Sequence, residues 1–332
     1  MQDAFGHRIS YLRISVTDRC NERCRYCMPQ EEQAWFGSAE ILSYDEMLRV
    51  LRVGVSLGIS KVRITGGEPL TRPGIAQFCA QVAGMPGIEH VGLSTNGTWL
   101  GRPGQGGGTL ADDLKRAGLA SINISLDSLD RAAYQKVTGR DLLAEALAGI
   151  DAAFAAGFES VRLNCVLMKG HSESQIGPLI EFARVKGALL RFIELMPVSV
   201  TEVLGEDQFL SAGEAMRLAQ AAAGELRPCP QFRTNGPAVY HELANGQRLG
   251  FIGAMTNLHF CESCNKLRLT SDGKLRPCLG SWLEFDLREA LRGGADDAQL
   301  AQLILSVVER KPKEHDFRNN YQPNRRMIAI GG

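Results

Sequence analysis

The chain has 332 residues and no net charge, 37 Lys and Arg balancing 37 Asp and Glu, with 44% hydrophobic residues. That length suits an α/β barrel with an appendage, and the balanced charge excludes wholesale binding to nucleic acid or an anionic membrane. No run of about 18 apolar residues spans a bilayer, and the opening MQDAFGHRIS lacks the apolar core of a secretion signal. The expectation is a cytoplasmic protein with no stable nucleic-acid or membrane partner.

In chain order the pattern alternates strand and helix. A β-rich run over 11–16 feeds the loop Cys20-Asn-Glu-Arg-Cys24-Arg-Tyr-Cys27. Ser43-Tyr-Asp-Glu46 is a capping box that opens an amphipathic helix to about residue 57, closed by Gly58. Residues 61–65 form a strand running into Gly66-Gly67-Glu68-Pro69, and Pro73 can start the next helix. A strand over 90–94 leads to Thr95-Asn96-Gly97, and a helix over 110–117 to a strand over 121–126. Asp127-Ser128 then caps a helical region out to 156. Strands over 161–168 and 189–195, with a helix over 174–186 between them, complete six βα units. Crossovers of this length predict parallel strands joined right-handedly. The expected architecture is an incomplete parallel (β/α)6 TIM-type barrel over 1–200, followed by an α+β extension over 201–332 that carries a second iron–sulfur site. The glycine-rich stretch 102–108 (RPGQGGG) carries no assignable chemistry and reads as a flexible surface loop.

Nine cysteines in a reducing compartment read as ligands or buried thiols. Cys79, Cys165 and Cys229 are scattered and are expected in the core. Cys20, Cys24 and Cys27, spaced C-x3-C-x2-C, can ligate three corners of a four-iron cluster and leave one iron open. A closed zinc site wants four ligands, and no fourth Cys or His lies nearby. Cys261, Cys264 and Cys278 form a second group around a predicted strand and a turn at Asp272-Gly273. It can hold another open-iron cluster beside Lys266 and Arg268, or zinc with His259 as the fourth ligand.

The loops at the carboxyl ends of barrel strands build the site, and the Cys loop, the GGEP turn, TNG and Asp127 all fall there. GGEP alone can be an ordinary tight turn; its glycine N–H groups also suit a carboxylate. Arg13, Lys61, Arg63, Arg162 and Arg191 lie within strands expected to be nearly all apolar. Glu194 and Asp127 are the obvious strand acids, and an unpaired buried cation costs several kcal/mol. The excess of bases predicts a polyanionic ligand inside the barrel, unless some of them reach solvent at strand ends.

The first Cys loop, with Tyr26 before its last cysteine, resembles the radical S-adenosylmethionine enzymes. The wider set of SVTDRCNERCRYCMP, RITGGEP, STNG, ISLDSLD, RFIELMP, CESCNKLRLTSDGKLRPCL and the terminal Gly331-Gly332 resembles the GTP 3′,8-cyclases, which begin molybdenum cofactor biosynthesis. The resemblance runs over nearly the whole chain and implies two [4Fe-4S] clusters. One, on Cys20, Cys24 and Cys27, would cleave S-adenosylmethionine; the other, on Cys261, Cys264 and Cys278, would contact guanine. It implies cofactor contacts at Tyr26, Gly66, Gly67, Glu68, Ser125 and Met196. GTP contacts would come from Arg13, Arg63, Ser94, Arg162, Lys266, Leu267 and Arg268, with Lys61 and Arg191 as further charged members. Arg268, Gly331 and Gly332 are the implied catalytic residues, the double glycine entering a narrow site where a loose terminus is otherwise the expectation. Lys266 stands where some relatives have arginine, which keeps the charge and loses bidentate geometry.

The implied product is (8S)-3′,8-cyclo-7,8-dihydroguanosine 5′-triphosphate. The implied partners are GTP, a reductant protein and a downstream pterin-forming enzyme, with a homodimer left open. Two other functions share part of the pattern. A radical enzyme acting on a peptide leaves the strand cations unexplained, and a zinc-binding interaction module on a degenerate barrel shares only the cysteines.

Overall fold

The computed structural model describes residues 1–28, 34–199, 206–319 and 321–331. Strands β1 (Tyr11–Ser15), β2 (Lys61–Thr65), β3 (His90–Thr95), β4 (Ser121–Ser125), β5 (Ser160–Leu167) and β6 (Leu189–Glu194) lie side by side, all parallel, in chain order. They are joined through α1 (Tyr44–Ser56), α2 (Ile75–Ala83), α3 (Leu110–Arg116), α4 (Arg131–Thr138), α5 (Leu143–Ala155) and α6 (Ile176–Lys186). After α7 (Ala212–Ala223) come β7 (Leu226–Pro228), β8 (Val239–Leu243), β9 (Arg248–Ile252), β10 (Lys266–Leu269), β11 (Lys274–Arg276) and β12 (Phe285–Asp286). The chain then closes through α8 (Leu287–Arg292), α9 (Asp297–Glu309) and the short α10 (Met327–Ile330).

The C-terminal strands continue the sheet at both edges. β9 runs parallel to β6, and β10 runs parallel to β1. Antiparallel β8 and β7 extend one flank, and β11 and β12 the other. Among the described residues this makes one twelve-stranded sheet, eight of whose strands are parallel neighbours. The 201–332 segment is thus joined to the sheet through the ladder hydrogen bonds of β9 and β10.

Side-chain alternation divides the sheet into two faces. Leu12 and Ile14 of β1, Val62 and Ile64 of β2, and Val161, Leu163, Cys165 and Leu167 of β5 enter the apolar core under the helices. The residues between them, Tyr11, Arg13, Arg63, Arg162 and Asn164, line a cavity on the other face. The expectation that parallel strands are apolar on both faces therefore holds on one face only.

Local signals behave as expected at Ser43, which accepts from the Glu46 amide at 3.1 Å while Glu46 accepts from the Ser43 amide at 2.6 Å. They fail after β4. Asp127 is occupied by the Tyr26 hydroxyl and the Val166 amide, so Asp130 caps α4 instead. The helical region expected out to 156 is split at Gly139, which takes a φ of 67°. Pro73 does not begin a helix; α2 starts at Ile75 behind Gly74, whose φ is 74°.

Cys79, Cys165 and Cys229 are buried. The 102–108 loop is exposed but tied to α3: Asp113 accepts from the Gln105 and Gly106 amides, and Arg116 donates to the Gly107 carbonyl. Among the described residues no helix is long and apolar enough to cross a membrane.

Candidate functional site: two cysteine triads and a cationic wall

One cavity of about 350 Å³ is lined by Cys20, Cys24 and Cys27, by Cys261, Cys264 and Cys278, and by Arg13, Arg63, Arg162, Arg191, Lys266 and Arg268. Tyr26, Gly66, Gly67, Glu68, Ser94, Ser125 and Met196 line it too. Two expected substrate residues do not. Lys61 donates to Asn235 Oδ1 at 2.9 Å, and Leu267 turns its side chain into the apolar core. Gly332 lies outside the described residues.

The first Cys loop is held from two sides. The amides of Arg23 and Arg25 donate to the carbonyls of Thr138 and Val137 at the end of α4, at 2.7 and 3.0 Å. From the other side come Gly67, whose amide donates to the Thr17 carbonyl at 2.7 Å, and Glu68, whose amide donates to the Arg19 carbonyl at 2.8 Å. These are amides that the sequence offers to a carboxylate ligand; the fold engages them with the Cys loop. The glycines are needed for the same close approach. A Cβ at Gly66 would meet the Thr17 carbonyl oxygen at 2.7 Å, and one at Gly67 the Arg19 carbonyl oxygen at 2.4 Å.

Acids surround this triad. Glu68 accepts from Leu70 N, Thr95 Oγ1 and Asn96 N at 3.0, 2.7 and 2.7 Å. The Tyr134 hydroxyl donates to Glu22 at 2.5 Å, and the Tyr26 hydroxyl to Asp127 at 2.7 Å. Burial raises the Glu22 and Glu68 carboxyls to about 7 and that of Asp127 to about 6. The three thiols are raised as well, Cys27 to about 12, first by burial and then by the neighbouring acids.

The opposite condition holds along β1, β2, β5, β6 and β10. Arg63 is 3% exposed and donates to Tyr11 Oη at 2.8 Å, the Leu93 carbonyl at 2.9 Å and Ser121 Oγ at 3.3 Å. Arg191 grips Asn164 Oδ1 at 2.9 and 2.6 Å. Among the described residues Arg63, Arg162, Arg191, Lys266 and Arg268 pair with no carboxylate, and Arg162 Nε is buried without a hydrogen-bond partner. The strand acids proposed as partners are engaged elsewhere: Glu194 takes the amides of Ala212, Met255 and Thr256. Burial lowers Arg13 to about 9, helped by Arg268, and lowers Arg191 to about 10. Arg268 also falls to about 10, with burial the largest cause. These groups stay charged at neutral pH, so the depressions mark a cost that a bound anion would relieve.

At the second triad Lys266 and Arg268 project beside the cysteines from β10. Burial pushes Cys264 up, yet Lys311 and Lys266 hold it below its ordinary value. Cys261 is raised to about 11 by burial. His259 is exposed and bonded to Glu262 at 2.6 Å, and it does not line the cavity. Among the described residues no three His, Cys, Asp or Glu side chains gather around a single-ion site.

The tail reaches this same region. Arg268 Nη1 donates to the Gly331 carbonyl at 2.8 Å. Gly331 has φ 87°, and a Cβ there would meet Ser15 Cβ and Thr65 Cγ2 at 2.9 Å. Arg325, bonded to Asp272 and Glu284, anchors the segment that leads to it.

Several residues escaped the sequence reading. Asn164 orients Arg191, and Tyr11 holds Arg63. Gly92 leaves space for the Arg63 guanidinium, because a Cβ would stand 2.7 Å from Arg63 Nη2 and Ser121 Oγ. A glycine inside a strand signals close approach, and Asn164 is two residues from Arg162 on one face, so both carried a signal.

Comparison with known proteins agrees with this geometry. Residues 14–183 match the model of the radical SAM superfamily, and residues 188–317 match Molybdenum Cofactor Synthesis C. A GTP 3′,8-cyclase from Moorella thermoacetica is 42% identical over the full length of both chains, and one from Heliobacterium modesticaldum is 44% identical, also over the full length of both. The chain belongs to the GTP 3′,8-cyclase family. It also shares its fold with solved structures of much lower sequence identity. Streptococcus suis SuiB bound to its precursor peptide SuiA aligns over 98% of this chain and 76% of its own, with a TM-score of 0.63 at 16% identity. Native anSMEcpe with bound AdoMet aligns over 92% of this chain and 82% of its own, with a TM-score of 0.61 at 14% identity.

Proposed function

We propose that the chain is a radical S-adenosylmethionine enzyme that converts GTP to (8S)-3′,8-cyclo-7,8-dihydroguanosine 5′-triphosphate, the first step of molybdenum cofactor biosynthesis. The observation that carries this is the single cavity in which two cysteine triads meet a wall of buried bases. The parallel sheet of β1 to β6 is read as an incomplete barrel of the (β/α)6 type over 1–200, with 201–332 supplying the second centre.

The residues fit the implied groups. Cys20, Cys24 and Cys27 are free thiols on one lined surface, and so are Cys261, Cys264 and Cys278. Three thiols without a fourth protein ligand, His259 being engaged by Glu262, suit a four-iron cluster with one open corner better than closed zinc. S-Adenosylmethionine carries a sulfonium and an ammonium charge, and Glu22, Glu68 and Asp127 provide the acidic setting beside the first triad. With both groups bound, that centre supplies the one-electron chemistry that removes hydrogen from the GTP ribose.

The chain's own residues do the rest by positioning. Arg13, Arg63, Arg162 and Arg191 receive the triphosphate, whose charge replaces the carboxylates that Arg63, Arg162 and Arg191 lack. Lys266 and Arg268 hold the nucleotide near the second triad, with Ser94 on the wall. Tyr26, Gly66, Gly67, Ser125 and Met196 flank the cofactor. Because the new bond joins C3′ and C8 of one nucleotide, the task is to hold ribose against base and exclude water. Arg268 and Gly331, already bonded to each other, close the site at this point, and Gly332 follows. A peptide substrate leaves the buried bases without counter-ions. A reductant protein and a downstream pterin-forming enzyme complete the pathway.

Anaerobic turnover with GTP, S-adenosylmethionine and dithionite is the test. The proposal predicts equal amounts of 5′-deoxyadenosine and cyclised nucleotide; no cofactor cleavage by fully reconstituted protein would sink it.

A further inference from the structure

Lys311 lies just beyond α9 and is only 4% exposed. Its Nζ donates to the carbonyls of Lys266, two residues after Cys264, and Pro277, one before Cys278, at 3.1 and 2.5 Å. It does not line the large cavity. It borders, with Cys261, Cys264, Cys278, His7 and His315, a separate small hollow of about 10 Å³. Lys311 therefore approaches the second triad from a side that the substrate space does not reach, unlike Lys266 and Arg268.

Among the described residues Lys311 forms no ion pair with a carboxylate. Two carbonyls solvate an ammonium without neutralising it, and a buried charge needs an opposite charge nearby. Glu314 also borders the hollow but is exposed and makes no ion pair with Lys311, so the half-buried groups there able to carry that charge are the thiols of the triad. We propose that Lys311 is the fixed counter-charge of the second thiolate triad and thereby sets the reduction potential of the cluster held by Cys261, Cys264 and Cys278. This rests on reading that triad as a cluster site. A positive charge beside a cluster favours its reduced, more negative form, so Lys311 raises the potential. It is a positioning and tuning residue; it has no route to substrate through the large cavity.

The test uses the full chain with Cys20→Ala, Cys24→Ala and Cys27→Ala, so that only the second triad can hold iron. After anaerobic reconstitution, iron content and an EPR-monitored redox titration are compared for Lys311, Lys311→Met and Lys311→Arg. The expected result is a lower potential, or loss of iron, in Lys311→Met, with Lys311→Arg restoring both towards the parent. Unchanged iron and potential in Lys311→Met would overturn the proposal. So would loss of iron in both variants, because the shape of lysine rather than its charge would then be at work. A parent that binds no iron would instead overturn the cluster reading, and this proposal with it.

Discussion

Around Cys20, Cys24 and Cys27 the buried ionisable neighbours are acids, Glu22, Glu68 and Asp127. Around Cys261, Cys264 and Cys278 they are bases, Lys266, Arg268 and Lys311. The ligand chemistry is the same at both sites and the electrostatic settings are opposite. The first setting favours a cationic cofactor and the second an anionic nucleotide, which is why a different small molecule is proposed beside each triad.

The largest effects come from breaking one triad at a time. Cys24→Ala is expected to abolish 5′-deoxyadenosine formation, whereas Cys264→Ala leaves some cofactor cleavage and abolishes cyclised product; chromatography of both products separates the two. Equal loss of cofactor cleavage in both variants would contradict the division of roles.

Next is the tail. Gly331→Ala meets both the left-handed backbone, a cost of about 1–2 kcal/mol, and the 2.9 Å contacts with Ser15 and Thr65. It should lower cyclisation strongly while iron content stays at the level of the unmodified protein. Arg191→Met removes one buried donor from the cationic wall. At about 1.5–3 kcal/mol for a charge-assisted hydrogen bond, triphosphate binding weakens roughly 10- to 100-fold. Binding of guanosine, measured by calorimetry in parallel, should change little.

The smallest effect is on pH. Arg13 is lowered to about 9 by burial and by Arg268, and the protonated form is the one that binds phosphate. Affinity for GTP should fall as pH rises through about 9; Arg13→Gln should weaken binding and flatten that limb.

Much of this was legible because it follows short-range rules. Arg13, Arg63, Arg162 and Arg191 stood out as bases inside strands expected to be apolar, and the capping box placed α1. Both triads were visible as spacings. What was hidden is long-range. That β9 and β10 flank β6 and β1 depends on pairings across more than fifty residues. The engagement of the Gly67 and Glu68 amides by Thr17 and Arg19 depends on how the Cys loop docks. Lys61 read as a cavity base because it falls within a strand, but at the first position of β2 its ammonium reaches Asn235 instead. Lys311 follows a helix and carries no pattern at all; only packing brings it to the second triad.

The central proposal, that two clusters in electrostatically opposite settings share one cavity, is tested most directly by iron and sulfide counting after anaerobic reconstitution of the unmodified chain and of Cys261→Ala. Loss of about half the iron is the expected result if each triad holds one four-iron cluster, as proposed. Unchanged iron, or zinc in place of it, would contradict the account.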